Sequence, residues 1–315
     1  MGKIVITGAA GLVGQNLIVG LLDRARAAPD SALEIVAIDK HPANTATLAR
    51  LHPDITVIEA DLAVPGAWTD SFSGAAALVQ LHAQIGGLDG SEFERNNITA
   101  TRHVLDATKA AGIPYLVHIS SSVVNSKATD FYTETKKAQE ALVMDSGIAH
   151  ATLRPTLMFG LFDRKHLGWL ARFMQRAPVF PIPGSGRYLR QPLYAGDFSA
   201  IVRACLDGRR EGAWNISGRE RIDYIDLIRA VKRATGAKTP IVRIPYSLFW
   251  MLLKIYAVLD KNPPFTTKQL EALVTPDVFE LIDWPEIFDV PATDLDQALS
   301  HSFTDPRYAD VVLEF

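Results

Sequence analysis

The chain has a single cysteine, Cys205, among its 315 residues. One thiol closes no internal disulfide and matches no zinc spacing, so a cystine-stapled fold and a cysteine-built metal site are excluded; no other metal-ligand spacing is found, and a reducing compartment is expected. No apolar run approaches the ~20 residues that a bilayer-spanning helix needs. An excess of one charge is also missing, since 32 Lys and Arg stand against 35 Asp and Glu for a formal net charge of −3. Without a basic excess or a long basic run, nucleic acid is not an expected partner. Internal repeats and low-complexity linkers are absent, and the first strand-like run begins at Lys3, leaving no room for a signal peptide. Together these absences predict a cytoplasmic protein.

What is present begins with Lys3-Ile4-Val5-Ile6, a short β-branched run that leads into Thr7-Gly8-Ala9-Ala10-Gly11-Leu12-Val13-Gly14. Such a run, apolar without alternation and bounded by glycine, reads as a buried parallel strand. Apolar residues then recur at helical spacing through Leu17, Ile18, Leu21 and Leu22. A strand, a tight glycine turn and a helix N-terminus make a phosphate cradle, because free backbone N–H groups and the positive helix end face the anion. Gly8, Gly11, Leu12, Val13 and Gly14 are therefore candidate cofactor residues. Glu34-Ile35-Val36-Ala37-Ile38-Asp39 reads as a second buried strand ending in an acid. A carboxylate there can accept both ribose hydroxyls and repels a 2′-phosphate, so NAD is expected over NADP.

Strand-like runs at 3–7, 34–39, 55–59, 76–82, 115–120 and 149–153 alternate with helical patterns near 11–28, 92–111 and 131–146. That alternation predicts an α/β fold with a doubly wound parallel sheet. Past Phe159-Gly160 the rhythm breaks at a cluster of Pro178, Pro181, Pro183, Gly184 and Gly186, and helical patterns follow near 223–235 and 246–259. Residues 1–165 are expected to form the NAD-binding domain, and residues 166–315 a smaller mixed α/β substrate lobe, some of whose segments return to the main sheet. The segment 246–259 is apolar nearly all round, which predicts burial in the second lobe or in a homodimer interface. A sharper reading is a helix lying at a membrane surface, favoured by Trp250 and the flanking tyrosines.

Tyr132-Thr133-Glu134-Thr135-Lys136 places a phenol and an ammonium at i and i+4 on one helix face. A nearby ammonium favours phenolate and lowers the tyrosine pKa toward a value useful for moving protons. The serines Ser120-Ser121-Ser122 end the strand-like run Tyr115-Leu116-Val117-His118-Ile119, where a substrate hydroxyl or carbonyl would lie.

Turn, acid, serine and Tyr-x-x-x-Lys in this order resemble the extended short-chain dehydrogenase/reductases, the NAD-dependent epimerase/dehydratase family. The resemblance runs over nearly the whole chain and implies a Rossmann-type domain. It also implies roles for residues that spacing alone leaves silent. Asp61-Leu62 is similar to the family's adenine-contacting pair, and Asn97-Ile98-Thr99-Ala100-Thr101 to its Asn-led helix. The resemblance makes Ser121 the better catalytic serine, with Ser122 in reserve, beside Tyr132 and Lys136. Leu153-Arg154-Pro155 resembles the segment that closes over the nicotinamide, and Ala83 falls in the cofactor-facing end of the fourth strand. Gly184-Ser185-Gly186 with Arg190, Tyr194 and Asp197 resembles the stretch whose arginine contacts the nucleotide of nucleotide sugars. Arg190, Ser121 and Ser122 are accordingly the expected substrate residues; an ion pair of Arg190 with Asp197 or another nearby acid is its structural alternative.

Departures bound what carries over. Ser121 and Tyr132 stand only eleven positions apart, about half the family's usual separation, so the pocket should be wider on that side. Asp130 is placed to cap the helix that carries Tyr132. Ser122-Val123 stands where 4,6-dehydratases carry an Asp-Glu pair, and without an acid and a base water elimination is not expected. His82 could face the cofactor, although a hydrogen-bonded structural histidine is the plainer reading. The expected function is NAD-dependent oxidation or epimerisation of a secondary alcohol on a sugar-like substrate, a nucleotide sugar foremost. The alternatives are a steroid-, flavonoid- or lipid-linked alcohol, and a non-catalytic NAD(H)-binding sensor or assembly protein; relatives of that last kind generally lack the tyrosine found here.

Overall fold

A computed structural model describes residues 2–28, 33–259, 267–275 and 279–314. Seven strands form the main sheet: β1 (Lys3–Thr7), β2 (Glu34–Asp39), β3 (Thr56–Glu59), β4 (Ala75–Gln80), β5 (Leu116–Ile119), β6 (His150–Pro155) and β7 (Gly212–Ile216). Their order is β7-β6-β5-β4-β1-β2-β3, and each neighbouring pair is parallel. The chain runs outward from β1 through β2 to β3, then crosses to β4 on the other side of β1. The carboxyl ends of β1 and β4 thus flank the switch point at which such sheets bind ligands.

The strand sequences are apolar without alternation because both faces are covered. On one face Ile4, Ile6, Ala77 and Val79 pack with Leu17, Ile18 and Leu21 of α1 (Leu12–Ala27). On the other, Val5, Val36 and Leu78 meet Val104 and Leu105 of α3, a helical run over 90–110, and Val143 of α4 (Phe131–Met144). A short helix α2 (Pro42–Leu51) follows β2. Alternate residues of one strand therefore stabilise opposite layers, each buried Val or Ile contributing about 1.5–3 kcal/mol.

Elements from beyond residue 165 join this unit. β7 extends the sheet beside β6, and α6 (Ala195–Gly208) packs on α1 through Phe198, Ile201, Val202 and the buried Cys205. A separate core joins α5 (Leu167–Arg176) to α7 (Tyr224–Thr235) through Leu167, Ala171, Leu227 and Val231. The strand Phe180–Pro183 pairs in parallel with Ile241–Ile244, which leads through Pro245 into α8 (Tyr246–Leu259).

That helix departs from burial in the second lobe, one of its two expected settings: Leu248, Trp250, Met251, Leu252 and Ile255 are exposed, Ile255 by 53%. Only Phe249 and Leu253 are half-buried among the side chains from Tyr246 to Tyr256. One i, i+4 pair cannot turn a helix that is apolar on every side into the chain's own core.

Candidate active site

The turn after β1 is shaped by two glycines. Gly8 adopts φ +70°, and a Cβ there would stand 2.6 Å from the His82 nitrogen. A Cβ at Gly14 would meet the Ala9 carbonyl oxygen at 2.5 Å, so only glycine lets α1 start this close to β1. At Gly11 an added Cβ would touch nothing nearer than the Gly8 oxygen at 3.5 Å, and no side chain caps the helix that follows. The first N–H groups of α1 therefore open onto a concavity that fits a pyrophosphate. Leu12 and Val13 are half-buried in its first turn.

Asp39 closes the side of the cradle. Its Oδ2 accepts the Ala10 N–H at 3.0 Å and its Oδ1 the His41 N–H at 3.0 Å, which fixes the carboxylate beside the glycine turn. Each oxygen keeps a lone pair for a ribose hydroxyl. Asp61 is held differently from the simple adenine contact expected. Its Oδ1 accepts the Ala63 N–H at 2.9 Å, and its Oδ2 pairs with Arg95 at 2.6 Å. Burial raises the Asp61 pKa, but the Ala63 N–H and Arg95 outweigh it and hold the group below the usual carboxylate range. Leu62 beside it is buried in the core.

The proton-handling groups come from β5 and α4. Asp130 caps α4, accepting the Thr133 N–H at 3.0 Å and its hydroxyl at 2.7 Å. One turn on, Tyr132 and Lys136 share a face. The serines that end β5 diverge, as alternate residues of an extended chain must. Ser120 turns inward and donates to Glu140 at 2.5 Å, and Glu140 accepts the Arg154 Nε at 3.0 Å. Ser121 accepts the Val123 N–H at 3.4 Å and stands near enough to the Tyr132 phenol to lower its pKa. The structure thus brings Ser121, not Ser122, to Tyr132; Ser122 opens the short turn Ser122–Asn125.

Lys136 is 1% exposed, and its Nζ donates to the Ile119 carbonyl at 3.0 Å and to the Gln139 Oε1 at 2.5 Å. Burial pulls its pKa down to about 7, with Glu140 opposing. The Tyr132 phenol moves the other way from the expectation: burial raises it, Ser121 lowers it and Asp130 raises it further. A buried lysine that readily gives up its proton offers little positive field to the phenol, which is why the i, i+4 spacing alone misjudges the direction.

Behind these groups lies a polar network that the motifs did not announce. Thr101 Oγ1 accepts Gln80 Nε2 and Gln139 Nε2, both at 2.9 Å, and lies 3.2 Å from His82 Nε2. A hydroxyl has one hydrogen and two lone pairs, so its hydrogen points at His82 Nε2. His82 is then neutral and donates from Nδ1 to the Thr7 hydroxyl 2.9 Å away. Burial and Lys136 hold its pKa down to about 3. His82 is thus a fully hydrogen-bonded positioning residue. Asn97, completely buried in the π-helical turn Glu94–Thr99, accepts the Gln84 N–H at 2.6 Å and donates to the Thr135 hydroxyl at 2.9 Å. It ties the loop that carries Ala83 to α4. The spacing of Asn97 to Thr101 and of Thr135 to Gln139, each i to i+4, was the available signal.

Pro155 ends β6, buried, and the next residue, Thr156, donates its N–H to the Ile216 carbonyl of β7. Arg190 is held by main-chain carbonyls. It donates to the Thr275 carbonyl at 2.8 Å and to the Leu273 carbonyl, at the end of helix α9 (Thr267–Val274). Asp197, its expected ion-pair partner, instead accepts the Thr293 N–H and hydroxyl at 3.0 and 2.5 Å. A helix terminus rich in unpaired carbonyls has claimed the guanidinium.

Residues 4–217 match the model of the NAD dependent epimerase/dehydratase family. The chain belongs to that family. It is 26% identical over 284 residues to a 3 beta-hydroxysteroid dehydrogenase/Delta 5→4-isomerase of Mycobacterium tuberculosis, covering 78% of this chain and 72% of that one. A ceramide reductase of Caulobacter vibrioides is 25% identical over 251 residues, with 78% and 74% covered. Among solved structures, UDP-glucuronic acid 4-epimerase of Bacillus cereus in complex with NAD superposes with a TM-score of 0.71 at 21% identity, over 95% of this chain and 94% of that one. This epimerase/dehydratase-family chain is NAD-dependent, and its uncapped helix start, glycine turn and Asp39 fit the cofactor.

Proposed function

We propose that the chain moves hydride between NAD and a secondary alcohol or ketone of a sugar-like substrate, with Tyr132 as acid and base. The placement of Ser121 near the Tyr132 phenol, at the carboxyl end of β5 and beside the buried Lys136, carries this reading. Bound NAD supplies the hydride acceptor or donor. Tyr132 Oη, as phenolate, takes the hydroxyl proton while the alcohol carbon gives up its hydride and becomes a ketone. Ser121 donates a hydrogen bond to the phenolate and to the reacting oxygen in turn, and the Lys136 side chain offers an N–H to the ribose. In reverse, Tyr132 returns the proton to the carbonyl oxygen. An epimerase returns the hydride to the other face of the ketone, and a dehydrogenase releases it. Ser122-Val123 supplies neither acid nor base, so dehydration does not belong to this site.

A second reading replaces the nucleotide sugar with an alcohol on an apolar or lipid-linked body. Arg190 favours it, because its donors meet backbone carbonyls where a nucleotide phosphate was expected. Residues 125–131 are exposed, leaving that rim of the site open. The relatives named above act, by their names, on a hydroxysteroid, a ceramide and a UDP-sugar acid. The test is a panel of UDP-sugars, hydroxysteroids and long-chain secondary alcohols with NAD, followed by NADH absorbance and by NMR for epimers. Turnover of any of them supports hydride chemistry at Tyr132; binding of NAD with no turnover across the panel favours the non-catalytic alternative.

A further inference from the structure

Helix α8 carries an apolar stripe with no cover. Leu248, Met251, Leu252 and Ile255 recur at i, i+3, i+4 and i+7 and are 41%, 48%, 48% and 53% exposed. That spacing puts all four on one face. The half-buried Phe249 and Leu253 lie on another, toward the rest of the chain. Tyr256, four residues beyond Leu252, is exposed at the edge of the stripe, and Lys254 borders its other edge, its ammonium 5.0 Å from the centre of the Trp250 ring, which with Tyr246 lies further round the helix.

The charge along this stretch of sequence is one-sided. Residues 227–259 contain Arg229, Lys232, Arg233, Lys238, Arg243 and Lys254 and no Asp or Glu, although acids outnumber bases in the whole chain. Arg229 pairs with Asp226 and Arg233 with Asp296. Lys238, Arg243 and Lys254 are exposed and paired with no carboxylate among the described residues. Arg243 sits in the strand Ile241–Ile244, joined to the helix only by Pro245 and tied by its ladder to Phe180–Pro183. The stripe is thus presented from a fixed base.

We infer that α8 is an interfacial helix that docks the protein on an anionic lipid surface, with Leu248, Met251, Leu252 and Ile255 entering the acyl boundary and Arg243 and Lys254 meeting headgroups. An apolar stripe with a tyrosine at its edge and unpaired cations beside it suit such binding. No helix among the described residues is long and apolar enough to cross a membrane, so the helix lies on the surface. A second copy of the chain fits the face less well, since a two-fold contact would set this acid-free basic stretch against itself. The inference is independent of which alcohol the active site takes.

The test is co-sedimentation of the full chain with vesicles of phosphatidylglycerol and phosphatidylcholine in equal parts, and with phosphatidylcholine alone. Binding to the mixed vesicles, weakened by salt and by omission of phosphatidylglycerol, is expected. Leu252→Glu with Ile255→Glu should abolish it while leaving the melting temperature and NAD binding unchanged, because both side chains are already in water. Arg243→Gln with Lys254→Gln should weaken it roughly fivefold per residue, the scale for a basic side chain near such a surface. Failure to sediment with either vesicle, or sedimentation indifferent to the Glu pair, would overturn the inference. So would a dimer in light scattering that the Glu pair dissolves, which would assign the stripe to a second copy.

Discussion

Ser121 at the carboxyl end of β5 stands beside the Tyr132 phenol in the first turn of α4. Burial raises the phenol's pKa and the serine hydroxyl opposes it. Ser121→Ala should therefore shift the limb of the pH–rate profile that reports phenolate to higher pH. Turnover should fall roughly tenfold to hundredfold, the equivalent of a charge-assisted hydrogen bond of about 1.5–3 kcal/mol. Ser122→Ala should leave both unchanged. The profiles of the two variants distinguish the serines directly.

Cofactor choice follows from Asp39. Its carboxylate, fixed by the Ala10 and His41 N–H groups, would meet a 2′-phosphate with like charge. Fluorescence titration should show NAD(H) binding far more tightly than NADP(H). Asp39→Asn, which keeps the shape and removes the charge, should narrow that gap by about tenfold. Equal affinities in the wild type would mean that Asp39 does not sit at the ribose.

Much of this site was legible in the sequence, for reasons that can be stated residue by residue. Ile4, Val5 and Ile6 read as a buried strand because both faces of a parallel sheet are covered. The glycine turn and the Asp130 cap are local devices, complete within a few residues. What stayed hidden depends on partners distant in the chain. Thr101 and Gln139 meet across 38 positions, and nothing local marks either as half of a pair. Arg190 reads as an anion-binding residue until the end of α9 is placed against it. The apolar helix 246–259 shows the same limit in another form: periodicity reports which residues avoid water, not whether the fold supplies anything to cover them.

Lys136 makes stability depend on pH in a way that can be worked out. Its pKa is about 7 in the folded chain against about 10.4 when unfolded. Below about pH 7 both states hold the proton, and the cost of burying an ammonium is fully present. Between about pH 7 and 10 the folded chain has released the proton and the unfolded chain has not. Unfolding then takes up a proton, so this group adds up to ~1.4 kcal/mol of stability per pH unit. Lys136→Met should lose that increment. Melting temperatures of both proteins across this range check it; parallel curves would mean that Lys136 is not buried as a neutral amine.

Arg190→Ala should lower stability by about 1 kcal/mol, because the Thr275 and Leu273 carbonyls lose a donor at the end of a helix. The KM for substrate should stay within twofold. Should KM rise sharply with the melting temperature unchanged, the guanidinium leaves those carbonyls to hold the substrate.

Turnover by Tyr132→Phe is the most direct test of proton transfer at this site. Removing one oxygen leaves the Asp130 cap, the Lys136 contacts and the glycine turn in place, so NAD affinity and melting temperature should match the wild type. With the best alcohol or ketone from the substrate panel, kcat should fall roughly 10²–10⁴-fold, the scale of a positioned acid or base. A variant that binds NAD normally and turns over at the wild-type rate would place the chemistry elsewhere and contradict the assignment of Tyr132.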